Sequence, residues 1–276
     1  MEKKNIAVLM TVFNRKETTL KGLRSLYKAI EELGDGYAFD VYMTDDGCTD
    51  GTGETVAEEF SEIKIIKGSG SLYWGGGMRK AWQAAIDSGI VYDYYLWFND
   101  DTLLFNTALK VLFGDYKSVG TMSIISGGCC DSKEENTATY GGRIEQVLVI
   151  PSGEPQKIIL MNGNIVLIPN CVAKEVGIIN DYYRHSLGDF DYGLRAQKEG
   201  IDVFLSSVYV GTCDRHDNDL KYCNPRIGVV QRIKWLYSPR YDVIRHFSFN
   251  MRYLSLFTAV GVFVKQNIRA ILAIKS

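Results

Sequence analysis

Apolar positions recur along the first hundred residues in two alternating rhythms. Four short runs, Ile6 to Phe13, Phe39 to Thr44, Ile63 to Ile66 and Tyr94 to Phe98, have the length and the β-branched or aromatic content of buried strands. Between them the apolar spacing lengthens to three and four. Leu20, Leu23, Leu26, Tyr27 and Ile30 mark a helix over 16–33, stopped by Gly34, and a shorter helix covers 54–60. Met78, Ala81, Trp82, Ala85 and Ile86 mark another after a glycine-rich loop, Gly68 to Gly77. Strand and helix alternate four times, which predicts βαβ units and a mostly parallel α/β sheet flanked by helices.

Beyond residue 100 the rhythm loosens. Val119 to Ser126, Tyr140 to Ile150 and Lys157 to Pro169 read as strands, and 171–178 as a short helix. Ser186 to Lys198 reads as a longer helix stopped by Gly200, and Ile201 to Val210 as a strand. Residues 227–236 and 241–268 read as helices separated by Ser238-Pro239.

Charge divides the chain. From Lys221 onward there are ten Lys or Arg and one acid, Asp242, against 21 basic and 32 acidic residues before it. The acidic body argues against nucleic acid as a partner. The basic end also carries Trp235, Tyr237, Tyr241, Phe247, Phe249, Tyr253, Phe257 and Phe263. Two expectations stand side by side: peripheral contact with an anionic membrane, or helices that pack on the body or form a homodimer. The longest apolar run, Tyr253 to Val264, is cut by Lys265 and is shorter than a spanning helix. Six cysteines lack C-x-x-C pairing, which argues against zinc, and Lys3-Lys4 leads straight into a strand. A cytoplasmic protein with reduced thiols, peripheral on the inner face of the membrane if it meets one, is the expectation.

Candidate chemistry gathers at strand ends. The first run closes on Asn14-Arg15, the second on Asp45-Asp46, and the fourth on Asn99-Asp100-Asp101. In a parallel sheet these ends share one edge, where ligands of open α/β sheets bind. Carboxylates there suit nucleoside hydroxyls and a hard cation carried with a diphosphate. Each is also an acceptable turn or helix cap. The loop Gly68 to Arg79 lacks the patterns that hold ATP or NAD. Its glycines would let helix N–H groups face a diphosphate, with Arg79 adding charge and Trp74 or Tyr73 stacking on a base or sugar. The same aromatics could instead pack into the core.

Thr11-Val-Phe-Asn-Arg15, Thr44-Asp-Asp-Gly-Cys-Thr-Asp-Gly-Thr52, Asn99-Asp-Asp101 and Gly188-Asp-Phe-Asp-Tyr-Gly-Leu-Arg195 together resemble the markers of family 2 inverting glycosyltransferases with the GT-A fold. The resemblance spans about residues 5–216 and is nearest in motif style to bacterial rhamnosyltransferase and galactofuranosyltransferase branches. It implies a catalytic domain over 1–219, with a helical extension over 220–276. It also implies a nucleotide-sugar donor (dTDP-rhamnose or UDP-galactofuranose), a glycan or lipid-linked acceptor in cell-surface polysaccharide synthesis, and Mn²⁺ or Mg²⁺ as cofactor. By the same mapping Thr11 and Asp46 contact the nucleotide; Asn14, Arg15, Asp45, Trp74, Arg79 and Asp100 are the further donor-binding candidates. Asp101, His216 and Asn99 hold the metal, with Asn99 departing from the family's D-x-D pattern. Asp189 matches the base that takes the acceptor proton. Asp191 is a secondary candidate, four residues before Arg195 and so also placed for a helical ion pair. Two other readings are a sugar nucleotidyltransferase and a non-catalytic nucleotide-sugar-binding subunit.

Overall fold

A computed structural model describes residues 3–120, 122–134, 136–215 and 221–274. The first half follows the alternation: β1 (Lys4–Val12), α1 (Lys16–Leu33), β2 (Tyr37–Asp45), α2 (Thr52–Glu59), β3 (Lys64–Lys67), α3 (Tyr73–Asp87) and β4 (Tyr94–Phe98). There follow β5 (Leu103–Leu104), α4 (Ala108–Val119), β6 (Ser123–Cys130), β7 (Ala138–Tyr140), β8 (Gly142–Ile144), β9 (Val147–Leu148), β10 (Gln156–Lys157), β11 (Leu160–Met161) and β12 (Ile165–Pro169). The chain then forms α5 (Asn170–Val176), α6 (Gly188–Lys198), β13 (Asp202–Thr212), a 3₁₀ turn over Lys221–Cys223, α7 (Val229–Leu236), α8 (Val243–Tyr253) and α9 (Leu256–Leu272).

The main sheet runs β10-β13-β6-β12-β4-β1-β2-β3. The pairs β1–β2, β1–β4 and β2–β3 are parallel, as is β13–β6. From β1 the chain builds outward through β2 to β3, then returns to lay β4 on β1's other side. This reversal opens a crevice beyond the carboxyl ends of β1 and β4, where such sheets bind ligands. Alternation along β1 sends Ile6, Val8 and Met10 toward α1 and α4, and Ala7 and Leu9 toward α3 and α6. Both faces are therefore covered, which is why the strands read as continuous apolar runs.

The structure departs from the pattern's prediction at several elements. The runs Tyr140 to Ile150 and Lys157 to Pro169 are each broken into short strands, and Val119 ends a helix, the following strand starting at Ser123. β12 is antiparallel to both β4 and β6, which an apolar run cannot reveal because strand direction leaves no trace in composition. The pattern does not predict α4, because Gly114 and the β-branched Val111 and Val119 dilute its signal. Residues 241–268 are two helices, because Ser255 accepts from the Thr258 amide at 3.1 Å and caps a new start.

Candidate active site

The crevice is walled by one cationic and two anionic side chains. Arg15, just past β1, reaches across to the end of β4, donating to Asp100 and, at 2.8 Å, to Asp101. Asp100 is buried and also accepts from the Thr19 hydroxyl of α1 at 2.9 Å. Burial pushes its carboxyl up to about 6, with Arg15 pulling the other way and Asp101 adding repulsion. Arg15 loses hydration too, yet the two acids hold its guanidinium above the ordinary value. Asp101 is the more open acid, with 15% of its side chain exposed against 1% for Asp100. It also meets the Cys213 thiol at 3.8 Å.

Beside it, the β2 end is committed to holding the glycine-rich loop. Asp46 is buried and accepts from the amides of Gly70, Leu72 and Tyr73 at 2.9, 2.9 and 3.0 Å. A carboxylate at the start of α3 satisfies orphan N–H groups and complements the helix dipole. It also restrains Tyr73, a bulky residue at φ 56°. These amides, expected to face a diphosphate, are thus occupied by Asp46, and the Gly75 amide by the Arg184 carbonyl at 2.6 Å. Asp45 accepts from Lys67 at 2.7 Å and the Cys48 amide at 2.8 Å. Although burial works to raise its pKa, those two partners hold Asp45 below the usual value. Thr11 faces α3, where a Cβ at Gly77 would lie 2.1 Å from its hydroxyl oxygen. Only glycine lets the helix approach that closely. Asn14, exposed at φ 50°, accepts from the Thr49 amide at 2.7 Å.

The third wall joins the β4 end to α6 through an indole. Trp74 donates its Nε1–H to the Asn99 side-chain oxygen at 2.7 Å. Its ring stands edge-on to Trp97 at 5.7 Å, and lies so close to Gly163 that a Cβ there would fall 2.4 Å from it. The same Cβ would meet that of Asp189 at 3.4 Å, so indole and carboxylate flank one glycine. Asp189 opens α6 and accepts from the amides of Gly163 at 3.0 Å and Phe190 at 2.9 Å. Desolvation outweighs these bonds and pushes its carboxyl up to about 6. A carboxylate poised there is suited to general-base chemistry near neutral pH.

Asp191 turns the other way. Fully buried, it binds Arg195 at 2.9 Å and the Tyr253 hydroxyl of α8 at 2.7 Å. Arg195 in turn donates to the carbonyls of Val176 and Ile178, and Arg79 to that of Ile179. Arg79 therefore holds the segment leading into α6 rather than pointing at the β4 end. The pattern does not single out His185, whose ring lies against Tyr73 at 5.8 Å. The residue is exposed, yet partial loss of hydration at the ring, with the nearby charges of Arg240 and Arg15, lowers its pKa. Its signal is slight: a histidine four residues before the predicted base. His216 lies outside the described residues.

Residues 7–156 match the family model for glycosyl transferase family 2. The chain belongs to that family. Its fold resembles that of the mannosyltransferase PcManGT from Pyrobaculum calidifontis in complex with GDP-Man and Mn²⁺, at TM-score 0.58 and 12% identity over 99% of this chain and 74% of that one. It also resembles S. aureus TarS, at 0.55 and 15% over 95% of this chain and 49% of that one. TarS residues 1–349 in complex with UDP-GlcNAc match at 0.55 and 13%, over 95% and 81%. At such identities the likeness is one of fold, and the fold is that of GT-A transferases. No curated protein sequence matches the chain.

For this family 2 member the fit of a divalent cation rests on its oxygen donors. Among the described residues no three His, Cys, Asp or Glu side chains are grouped to hold a metal. Mg²⁺ bound with substrate phosphates needs only one or two carboxylates, and Asp101, the more exposed of the two acids, is a donor of that type, though Arg15 already donates to it at 2.8 Å. Asn99 fits less well, since Trp74 already occupies its oxygen.

Proposed function

We propose that the chain transfers a sugar from a nucleoside-diphosphate sugar to an acceptor hydroxyl with inversion, and that Asp189 is the base. The carrying observation is Asp189's position: a carboxyl pushed up to about 6, across Gly163 from the Trp74 indole, whose N–H the Asn99 oxygen accepts. Family membership supplies the reaction class. In this reading the donor lies along the crevice between the β1 and β4 ends, its sugar against Trp74. Asp189 accepts the acceptor hydroxyl's proton as that oxygen attacks the anomeric carbon and the nucleoside diphosphate leaves. Arg15 offers its guanidinium to the phosphates, exchanging one anionic partner for another. Asp46 and Thr11 serve the donor through the loop and helix they hold, and Asn14 and Asp45 line the nucleoside end. Asp101 would hold Mg²⁺ or Mn²⁺, with His216 by resemblance. A metal ion there supplies Lewis-acid stabilisation of the departing diphosphate. Motif style favours dTDP-rhamnose or UDP-galactofuranose as donor, and a glycan or lipid-linked glycan of the cell surface as acceptor.

The test pairs binding with turnover. Calorimetry with a panel of nucleotide-sugars, with and without Mn²⁺, identifies the donor and the metal requirement. With that donor, Asp189→Asn should bind within a few-fold of wild type yet lose transfer by about 10²–10⁴-fold. Transfer near the wild-type rate would remove Asp189 from the mechanism.

A further inference from the structure

We propose that the outward face of α9 docks on an anionic lipid bilayer. The helix buries one side, through Ala259 and Ala270. On the other, Phe257, Val260, Val264, Ile268 and Ile271 recur at steps of three, four, four and three, and so share one face. All five are exposed, Phe257 at 89%. Scattered exposed apolar residues are ordinary, but a continuous face four turns long marks an interaction surface. Met251 of α8 and Leu254 of the corner between the helices are exposed as well.

The charge around this face chooses the occupant. The segment from Lys221 onward carries ten cations and one acid; Arg232 is buried against the Ala270 and Ile271 carbonyls and Arg245 is paired with Asp242, which still leaves an excess of positive charge that includes the exposed Lys265 of α9 itself. Two copies meeting through α9 would bring like-charged surfaces together, which costs free energy. Anionic headgroups complement the cations, while the apolar face enters the headgroup boundary. With Lys265 and Arg269 inside its 17 residues, α9 lies on a bilayer rather than across it. No described helix is long and apolar enough to cross one.

The face is tied to the catalytic centre. Tyr253, which closes α8 three residues before α9 begins, donates to Asp191 of α6, the helix that opens on Gly188 and Asp189. Phe249 packs on Tyr183 of the loop before that helix. Docking would therefore fix how α6 sits relative to the membrane, which deepens the proposed function by favouring a lipid-linked acceptor. The test uses no turnover, so its failure leaves the transferase reading standing.

Flotation of the full chain with phosphatidylglycerol/phosphatidylcholine vesicles, and with phosphatidylcholine vesicles alone, provides the measurement. Binding is expected to the first and not the second, weakening as salt rises. Phe257→Glu with Val264→Glu should reduce it at least about tenfold, and Lys265→Glu by up to about tenfold, with unchanged thermal melting. Val260→Ser with Val264→Ser, a milder pair, serves if the glutamates perturb folding. Failure to bind anionic vesicles overturns the proposal, as does binding that ignores both apolar pairs. A wild-type dimer in sedimentation equilibrium that the same substitutions dissociate would assign the face to a second copy, and would overturn it too.

Discussion

The acidic motifs at the end of β4 and the start of α6 divide their labour in the same way. Each spends one carboxylate on the fold and turns the other toward the crevice. Asp100 and Asp191 are the buried members, each held by an arginine and a hydroxyl: Arg15 with Thr19, and Arg195 with Tyr253. Asp101, which Arg15 also bridges, and Asp189 are the members we propose for chemistry. The difference lies in the arginines. Arg195 is 18% exposed and also bound to two carbonyls, so it is fixed in the scaffold. Arg15 is 40% exposed and bridges both acids at the mouth of the crevice, so it can turn to a phosphate without dismantling a core. A buried ion pair embedded in further hydrogen bonds builds geometry, whereas one at the rim remains available for exchange.

Breaking the buried member at α6 should produce the largest effect on stability. Asp191→Ala strands Arg195 and the Tyr253 hydroxyl and should cost about 3–5 kcal/mol in denaturant unfolding. Asp189→Asn should change stability far less, within about 1 kcal/mol, because the fold disfavours charge at that carboxyl and the amide oxygen can still accept from Gly163, which offsets the acceptor lost to the Phe190 amide. Equal losses at the two positions would erase the division between them.

The two arginines sharpen the contrast at a smaller scale. Arg195→Met should cost about 2–4 kcal/mol, since a buried acid and two carbonyls lose their donor. Arg15→Met should cost less, about 1–2 kcal/mol, because Thr19 still serves Asp100 and the site is open to water. It should weaken donor binding by about tenfold, measured by calorimetry.

How far these roles were legible in the sequence depends on what each depends on. The alternating strands and helices could be read because burial on both faces writes continuous apolar runs. The ion pair of Asp191 with Arg195 could be read from their spacing on one helix. Asp46 could not: its three amide partners lie 24 to 27 residues away, and its loop-holding role exists only once β2 and α3 are adjacent. Asn99 reads as a damaged metal ligand until the structure brings Trp74 to its oxygen. Arg79 and Arg195 converge on the segment before α6 from different elements, a coincidence that spacing along the chain cannot express.

Protonation offers a further separation. Asp189 and Asp100 are both raised to about 6, so the folded chain holds these protons more tightly than the unfolded one. Stability should therefore fall as pH rises from about 4 through 6, by at most about 3 kcal/mol per group. Transfer should rise over the same range, as Asp189 becomes an available base, and drop about tenfold per unit below 6. In Asp189→Asn the fall in stability should become shallower while the Asp100 contribution persists. An unchanged slope would assign the proton to another group.

The smallest expected effect concerns the indole that links the two motifs. Trp74→Phe keeps an aromatic ring against Trp97 and Gly163 but removes the N–H that Asn99 accepts. The loss should be about 1 kcal/mol in stability and a few-fold in donor affinity. Asn99→Leu alone should cost about as much, and the double substitution scarcely more than either, giving a coupling of about 0.5–1.5 kcal/mol. If Asn99 instead contributed chiefly to the cation, Asn99→Leu would weaken Mn²⁺-dependent donor binding in the Trp74→Phe background as strongly as in the wild type. Non-additivity in that cycle therefore distinguishes an amide that holds the indole from one that binds metal.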